Sequence, residues 1–314
     1  IVDRQTSAFI PTPGTTNLKN FSANWFGTNA PVVTTANSAE PGYAAQVPFT
    51  VPGGSATAPG GQPDVAGPAS ANFDITPFLD VATDTNVETT LGRGTYGFQG
   101  SFNVLNVIAT NAQVGATGRI QEGVNLVNTG GTVKTLAGFY TGNADVNKAA
   151  TLSGAFTTSG TLGASAAGAI ISPGFSPGII NSGDLSLAAG TALNIELASS
   201  TTPGAGYDQI NVIGAVNLGG ATLNATLGFA PPNGSSFFII VNDGSDPVVG
   251  TFAGLPQGAS LLIGGTPFQI SYTGGSGNDV VLTTTCPVIT LLPSSLPNGV
   301  AGVSYSQSLS AMPS

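Results

Sequence analysis

The sequence predicts an all-β protein made of stacked repeats, and three observations carry that prediction. Apolar and polar residues alternate in short runs, as in Leu185-Ser186-Leu187 and Leu193-Asn194-Ile195-Glu196-Leu197, which is the period of a half-buried strand. The pattern returns about thirty residues later as Val216-Asn217-Leu218 and Leu223-Asn224-Ala225-Thr226-Leu227, as expected when each turn of a repeat buries its apolar face on the next. Turn clusters such as Asn128-Thr129-Gly130-Gly131 and Thr141-Gly142-Asn143 punctuate the runs, and no i, i+3, i+4 pattern is sustained over three helical turns.

Taken in order, residues 1–95 read as an irregular, Pro/Gly-rich cap or adaptor. Ten prolines precede Leu79, and proline removes a ladder donor and fixes φ, so loops and short edge strands are expected. The aromatics of this stretch, among them Phe21, Trp25, Phe26, Tyr43 and Phe73, suit a plug over the exposed end of a stack. Trp25, Phe26 and Tyr43 are also the candidate glycan contacts, because exposed aromatic faces stack on sugars. Residues 96–285 form the repeat body. Strands are expected around Tyr96–Val107, Val124–Leu126, Val133–Phe139, Ala150–Phe156 and Ala167–Ile171, with Leu187, Leu193, Ile195, Leu218, Leu223 and Leu227 pointing inward. Residues 286–314 are an apolar tail.

Composition narrows the functional classes. Only 7% of the 314 residues are charged and 41% are hydrophobic, with 45 glycines. A disordered chain is excluded by that apolar content and a mean hydropathy of +0.26. The net charge is −9, the chain has no histidine, and no Lys or Arg follows Lys148. Nucleic acid is therefore excluded as a partner, since phosphate binding needs clustered cations. No run approaches the length of a membrane span, and Ile1-Val2-Asp3-Arg4 lacks the pattern of a signal peptide. The chain reads as a processed polypeptide or a piece of one. A single cysteine, Cys286, cannot form an internal disulfide, and the shortage of Lys and Arg, the Thr/Asn/Ser-rich surface and a sequence pI near 4.1 suit an extracellular bacterial protein.

Several motifs resemble known families. Ile171-Ser172-Pro173-Gly174-Phe175-Ser176-Pro177-Gly178-Ile179 resembles the paired Ser-Pro-Gly turn of bacterial autotransporter-associated β-strand repeats. Tyr207-Asp208-Gln209-Ile210, Phe238-Ile239-Ile240-Val241-Asn242-Asp243-Gly244 and Gly250-Thr251-Phe252-Ala253-Gly254-Leu255-Pro256 are similar to later segments of those repeats. The resemblance spans residues 115–285 and implies a right-handed parallel β-helix displayed outside the cell, serving as stalk, adhesin or carrier. Cys286-Pro287-Val288-Ile289-Thr290-Leu291 and Leu296-Pro297-Asn298-Gly299-Val300 resemble the opening strands of a bacterial immunoglobulin-like repeat, of which only the start is present.

Residues with chemical potential are few. Gly274-Gly275-Ser276-Gly277-Asn278-Asp279 is similar to the calcium-binding nonapeptide of repeats-in-toxin proteins. A lone copy supplies half a cage, so the favoured reading is a Gly-rich hairpin. Asp279, with Asp243 and Asp246 of Asn242-Asp243-Gly244-Ser245-Asp246, are the weak candidates for calcium, and no cofactor is expected. Asp74, Asp80, Asp84 and Glu88 form a looser acidic group. Without histidine, clustered arginine or a nominated acid pair, the chain is expected to bind or build and not to catalyse. The expected role is a subunit of a surface fibre or filament. Its apolar tail, through Val288, Leu291, Leu296, Val300, Val303 and Leu309, adds a strand to a neighbouring copy. The alternative is a monomeric stalk or adhesin that binds glycans or another cell surface.

Overall fold

The computed structural model describes residues 19–26, 31, 33–34, 65–66, 73–80, 82–84, 98–286 and 289–313. The fold is all-β apart from one short helix among these residues, and most of the strands belong to three sheets. The seven-stranded sheet holds, in spatial order, Thr222–Leu227, Ala192–Leu197, Ile170–Pro173, Thr151–Gly154, Thr132–Thr135, Val104–Val107 and Phe78–Leu79. The four-stranded sheet holds Ala144–Val146, Leu162–Ala164, Leu185–Leu187 and Val216–Asn217. The eight-stranded sheet runs Phe139–Tyr140, Thr157–Thr158, Ile179–Ser182, Gln209–Val212, Ser236–Asn242, Asp279–Thr284, Thr266–Gly274 and Ser260–Ile263. From Thr132 to Asn242 the chain enters the seven-, eight- and four-stranded sheets in that order, and then begins again. Each strand pairs in parallel with its counterpart in the next circuit.

The register explains why alternating sequence yields this arrangement. Leu105, Val133, Leu152, Ile171, Leu193 and Leu223 are successive partners across the seven-stranded sheet. Ile180, Ile210 and Ile240 form a column in the eight-stranded sheet, and Leu162, Leu185 and Val216 one in the four-stranded sheet. These columns meet in one continuous core. A one-residue slip in any strand would turn its whole set outward, so the core fixes the register. The polar residues between them stack outside and bond along the stacking direction. Asn211 Nδ2 donates to Asn181 Oδ1 at 2.9 Å, and Asn181 Nδ2 to Thr157 Oγ1 at 3.1 Å.

Several expectations need correction. Val124–Leu126 is not a strand: Arg119–Leu126 is an α-helix that turns Ile120, Gly123 and Val124 into the core. A Cβ on Gly123 would lie 2.9 Å from Val107 Cγ2 and 3.0 Å from Val133 Cγ1, so glycine lets the helix sit directly on the first strands. The stack is not parallel throughout. Phe78–Leu79 pairs antiparallel with Val104–Val107 at one end, and Ser260–Ile263, Thr266–Gly274 and Asp279–Thr284 form antiparallel pairs at the other. The spacing is also uneven, since Val133 and Leu152 lie closer in sequence than Leu193 and Leu223. Of the six residues expected to point inward, Leu187, Leu193, Ile195 and Leu218 are buried. Leu223 and Leu227 are half-buried, because their strand is the edge of its sheet and no further parallel strand covers it. The tail is a two-stranded antiparallel hairpin, Ile289–Leu292 with Ser310–Pro313, and not a single strand.

The two edges of the four-stranded sheet are closed by different devices. The Gln121 side chain accepts from Asp145 N–H at 2.8 Å and donates to Asp145 O at 3.1 Å, so an amide on the helix pairs with the edge strand Ala144–Val146 as a neighbouring strand would. At the other end Leu218 N–H donates to Val249 O and Val249 N–H to Val216 O. Covered edges deny other chains a template for pairing.

Candidate functional site

A groove of about 460 Å³ lies on the outer side of the seven-stranded sheet, between Phe175, Asn194, Glu196 and Asn224. Four successive circuits build it. Ser153 and Ser172 are register partners from the first two, Asn194 and Glu196 come from the third, and Asn224 and Thr226 from the fourth. Outward alternation places these side chains in rows, one per strand.

The turn after Ile170–Pro173 supplies the wall. Gly174 has φ +80°, and a Cβ there would collide with the Ser176 carbonyl and the Gly178 backbone. Gly174 N–H donates to Gly154 O at 2.8 Å, and its carbonyl accepts from Ser153 Oγ at 2.8 Å. At the tip of this tied turn Phe175 is 61% exposed. A ring held by a well-bonded turn loses little further freedom on binding.

The floor rests on Asp208. Its carboxylate is 3% exposed and accepts from Gly178 N–H and Glu196 N–H, each at 2.8 Å. It thereby ties the turn carrying Phe175 to the strand carrying Glu196. Between that strand and Gln209–Val212 the chain makes an excursion, folded on itself by Ala198 N–H to Gly206 O and Gly204 N–H to Tyr207 O. Tyr207 is buried edge-on to Phe237, with centroids 5.3 Å apart. Burial pushes the Asp208 carboxyl up from 3.8 to about 6, against the pull of its two backbone donors and with some help from the Glu196 charge. Asp208 therefore organises the groove from beneath. Glu196, in contrast, is exposed.

The segments that carry the acids proposed for calcium are joined through Asn278 and the Asn242 backbone. Asn278 Nδ2 donates to Asp243 O at 2.9 Å and Asp246 O at 3.1 Å, while Asp279 Oδ1 accepts from Asn242 N–H at 2.9 Å. The two loop carbonyls are thus occupied by an amide, in the turn between the antiparallel strands Thr266–Gly274 and Asp279–Thr284. No group of three or more His, Cys, Asp or Glu suited to a metal occurs among the described residues. The looser acidic group is dispersed in role: Asp74 Oδ2 accepts from Val114 N–H at 2.6 Å, and Asp80 pairs with Lys134 at 3.3 Å. Glu88 lies outside the described residues.

Of the N-terminal aromatics, Phe26 stands edge-on to Phe78 with centroids 6.1 Å apart, and it packs with Phe21 on buried Phe73 and Ile75. Trp25 is exposed, and Tyr43 lies outside the described residues. In the tail, Leu296, Val300, Val303 and Leu309 are all exposed, Val300 by 70%. Leu291 falls in the strand Ile289–Leu292, and Val288 lies outside the described residues. Sequence reasoning did not select the groove. The available signal was Phe175, an aromatic set between two Ser-Pro-Gly turns where it has no core to join. Comparisons of the chain with protein-family models, with curated proteins and with solved structures find no match.

Proposed function

We propose that this chain is an extracellular structural protein, a subunit of a bacterial surface filament. In this reading residues 96–285 form a right-handed parallel β-solenoid similar to autotransporter passengers, and residues 286–314 join neighbouring copies head to tail. The observation that carries it is the set of exposed apolar side chains in the segment that connects the two tail strands, Leu296, Val300, Val303 and Leu309. Exposed apolar residues concentrated on one short segment mark an association surface. Among the described residues the two tail strands pair only with each other, so each keeps an outer edge for strand addition. Antiparallel strands at both ends of the stack favour joining through the tail over direct stacking of one body on the next.

Negative-stain electron microscopy and sedimentation velocity on the purified chain test this reading. Fibres, or species that grow with concentration, are expected, and a Val303→Asp/Leu309→Asp double variant should abolish them while leaving the circular dichroism melt unchanged. A monodisperse monomer at every concentration would sink the proposal and leave a monomeric stalk or adhesin.

A further inference from the structure

We propose that the groove between Phe175, Asn194, Glu196 and Asn224 binds a neutral oligosaccharide, a role separate from assembly through the tail. Three features of the groove select that ligand class.

The first is the ring. Phe175 is 61% exposed on a turn fixed by Gly174, Ser153 and Asp208, so its exposure is built into the local structure. An aromatic face carries partial negative charge, which suits the C–H face of a pyranose.

The second is the inventory of polar atoms. Asn224 Nδ2 donates to Asn194 Oδ1 at 3.1 Å, which orients both amides. It leaves Asn194 Nδ2 as a donor and Asn224 Oδ1 as an acceptor, neither with a protein partner among the described residues. The Glu196 carboxylate is exposed and likewise has none. Its backbone N–H is bound to Asp208, which fixes the strand beneath it. Oriented amides and a free carboxylate beside an apolar face form the mixture of donors and acceptors that vicinal hydroxyls satisfy, since each hydroxyl both donates and accepts. The rows also follow the strand spacing of about 4.8 Å, so equivalent groups recur along the groove as hydroxyls recur along an extended glycan.

The third is charge. Glu196 and Asp208 are the charged residues of the groove, and no Lys or Arg lies among its lining residues. Phosphorylated, sulfated and uronic-acid glycans would meet like charge there with no cation to offset it. Asp208 stays beneath the groove as a positioning residue, while Phe175, Asn194, Glu196 and Asn224 are the contacts.

Isothermal titration calorimetry on the whole chain tests the proposal with a fixed panel: cellohexaose, laminarihexaose, mannohexaose, chitohexaose and, as the anionic control, hexagalacturonate. At least one neutral hexasaccharide should bind with Kd below about 1 mM, in the range of weak but specific recognition, and hexagalacturonate should not bind. Phe175→Ala should weaken that binding by about tenfold or more, and Glu196→Gln by about threefold. Both side chains are exposed, so the thermal melts of the variants should match the parent. Trp25→Ala should leave the affinity unchanged. The proposal is overturned if no neutral member of the panel binds, if hexagalacturonate binds as well as the neutral sugars, or if binding survives Phe175→Ala and is lost on Trp25→Ala.

Discussion

The backbone N–H of Glu196 donates to Oδ2 of Asp208 at 2.8 Å, so a carboxylate at the end of an excursion holds the strand from which the excursion departs. The same carboxylate reaches Gly178 N–H through Oδ1. One buried acid therefore fixes three segments, and its protonation state bears on the stability of all of them.

The first expected outcome concerns pH. Burial raises the Asp208 carboxyl from 3.8 to about 6, so folding favours its protonated form. The resulting stabilisation is full below the ordinary aspartate value and is lost as pH rises through about 6. A rise from 3.8 to about 6 corresponds to roughly 2–3 kcal/mol. Urea unfolding midpoints measured from pH 4 to pH 7 should fall with rising pH, and Asp208→Asn should flatten that slope. Equal slopes for parent and variant would show that another group governs the window.

Register partners should respond unequally to truncation. Leu193 is fully buried, whereas its partner Leu223 lies half-buried in the edge strand. Leu193→Ala is expected to cost about 2–5 kcal/mol through lost burial and a cavity, and Leu223→Ala about 1–2 kcal/mol. Denaturant unfolding of the two variants measures the difference directly. Comparable losses would mean that the edge strand is covered in solution.

Two glycines with nearly identical φ separate conformation from contact. Gly174 and Gly130 have φ of +80° and +81°. A Cβ on Gly130 meets nothing within 4 Å, while one on Gly174 collides with backbone. Gly130→Ala should cost about 1 kcal/mol, the ordinary penalty for a left-handed alanine. Gly174→Ala should cost about 2–4 kcal/mol and displace Phe175. Similar melting temperatures for the two variants would contradict the tight packing of the turn.

Asn278 offers a test of the acidic turn. Its amide serves the carbonyls of Asp243 and Asp246, next to the buried carboxylate of Asp279. Asn278→Asp replaces a donor by an acceptor and adds negative charge beside existing acids. Asp243 O loses its side-chain donor while Asp246 O keeps Asn242 Nδ2, a loss of about 1 kcal/mol, so the variant should melt earlier at pH 7 and recover part of the loss at pH 4. An unchanged melt would show that water replaces the amide without penalty.

Alternation along single strands was enough to identify Leu185–Leu187, Ala192–Leu197 and the strands around them, because side-chain direction in a strand has a period of two and depends on neighbours in sequence. The repetition of Leu193 and Leu223 likewise predicted stacking. The helix Arg119–Leu126 was not legible: its inward face is Ile120, Gly123 and Val124, and a glycine within two short turns reads as a loop. Only contact with Val107 and Val133 gives that glycine its purpose. The groove was hidden for a related reason. Ser153, Phe175, Glu196 and Asn224 belong to four different circuits, and none carries a motif alone. The Asp208 bond to Gly178 spans 30 residues of sequence, and the loops between circuits differ in length, so no fixed spacing predicts it. Local period decided which residues form strands and which face the core. Long-range register, set by packing of the shared core, decided which outward residues stand side by side.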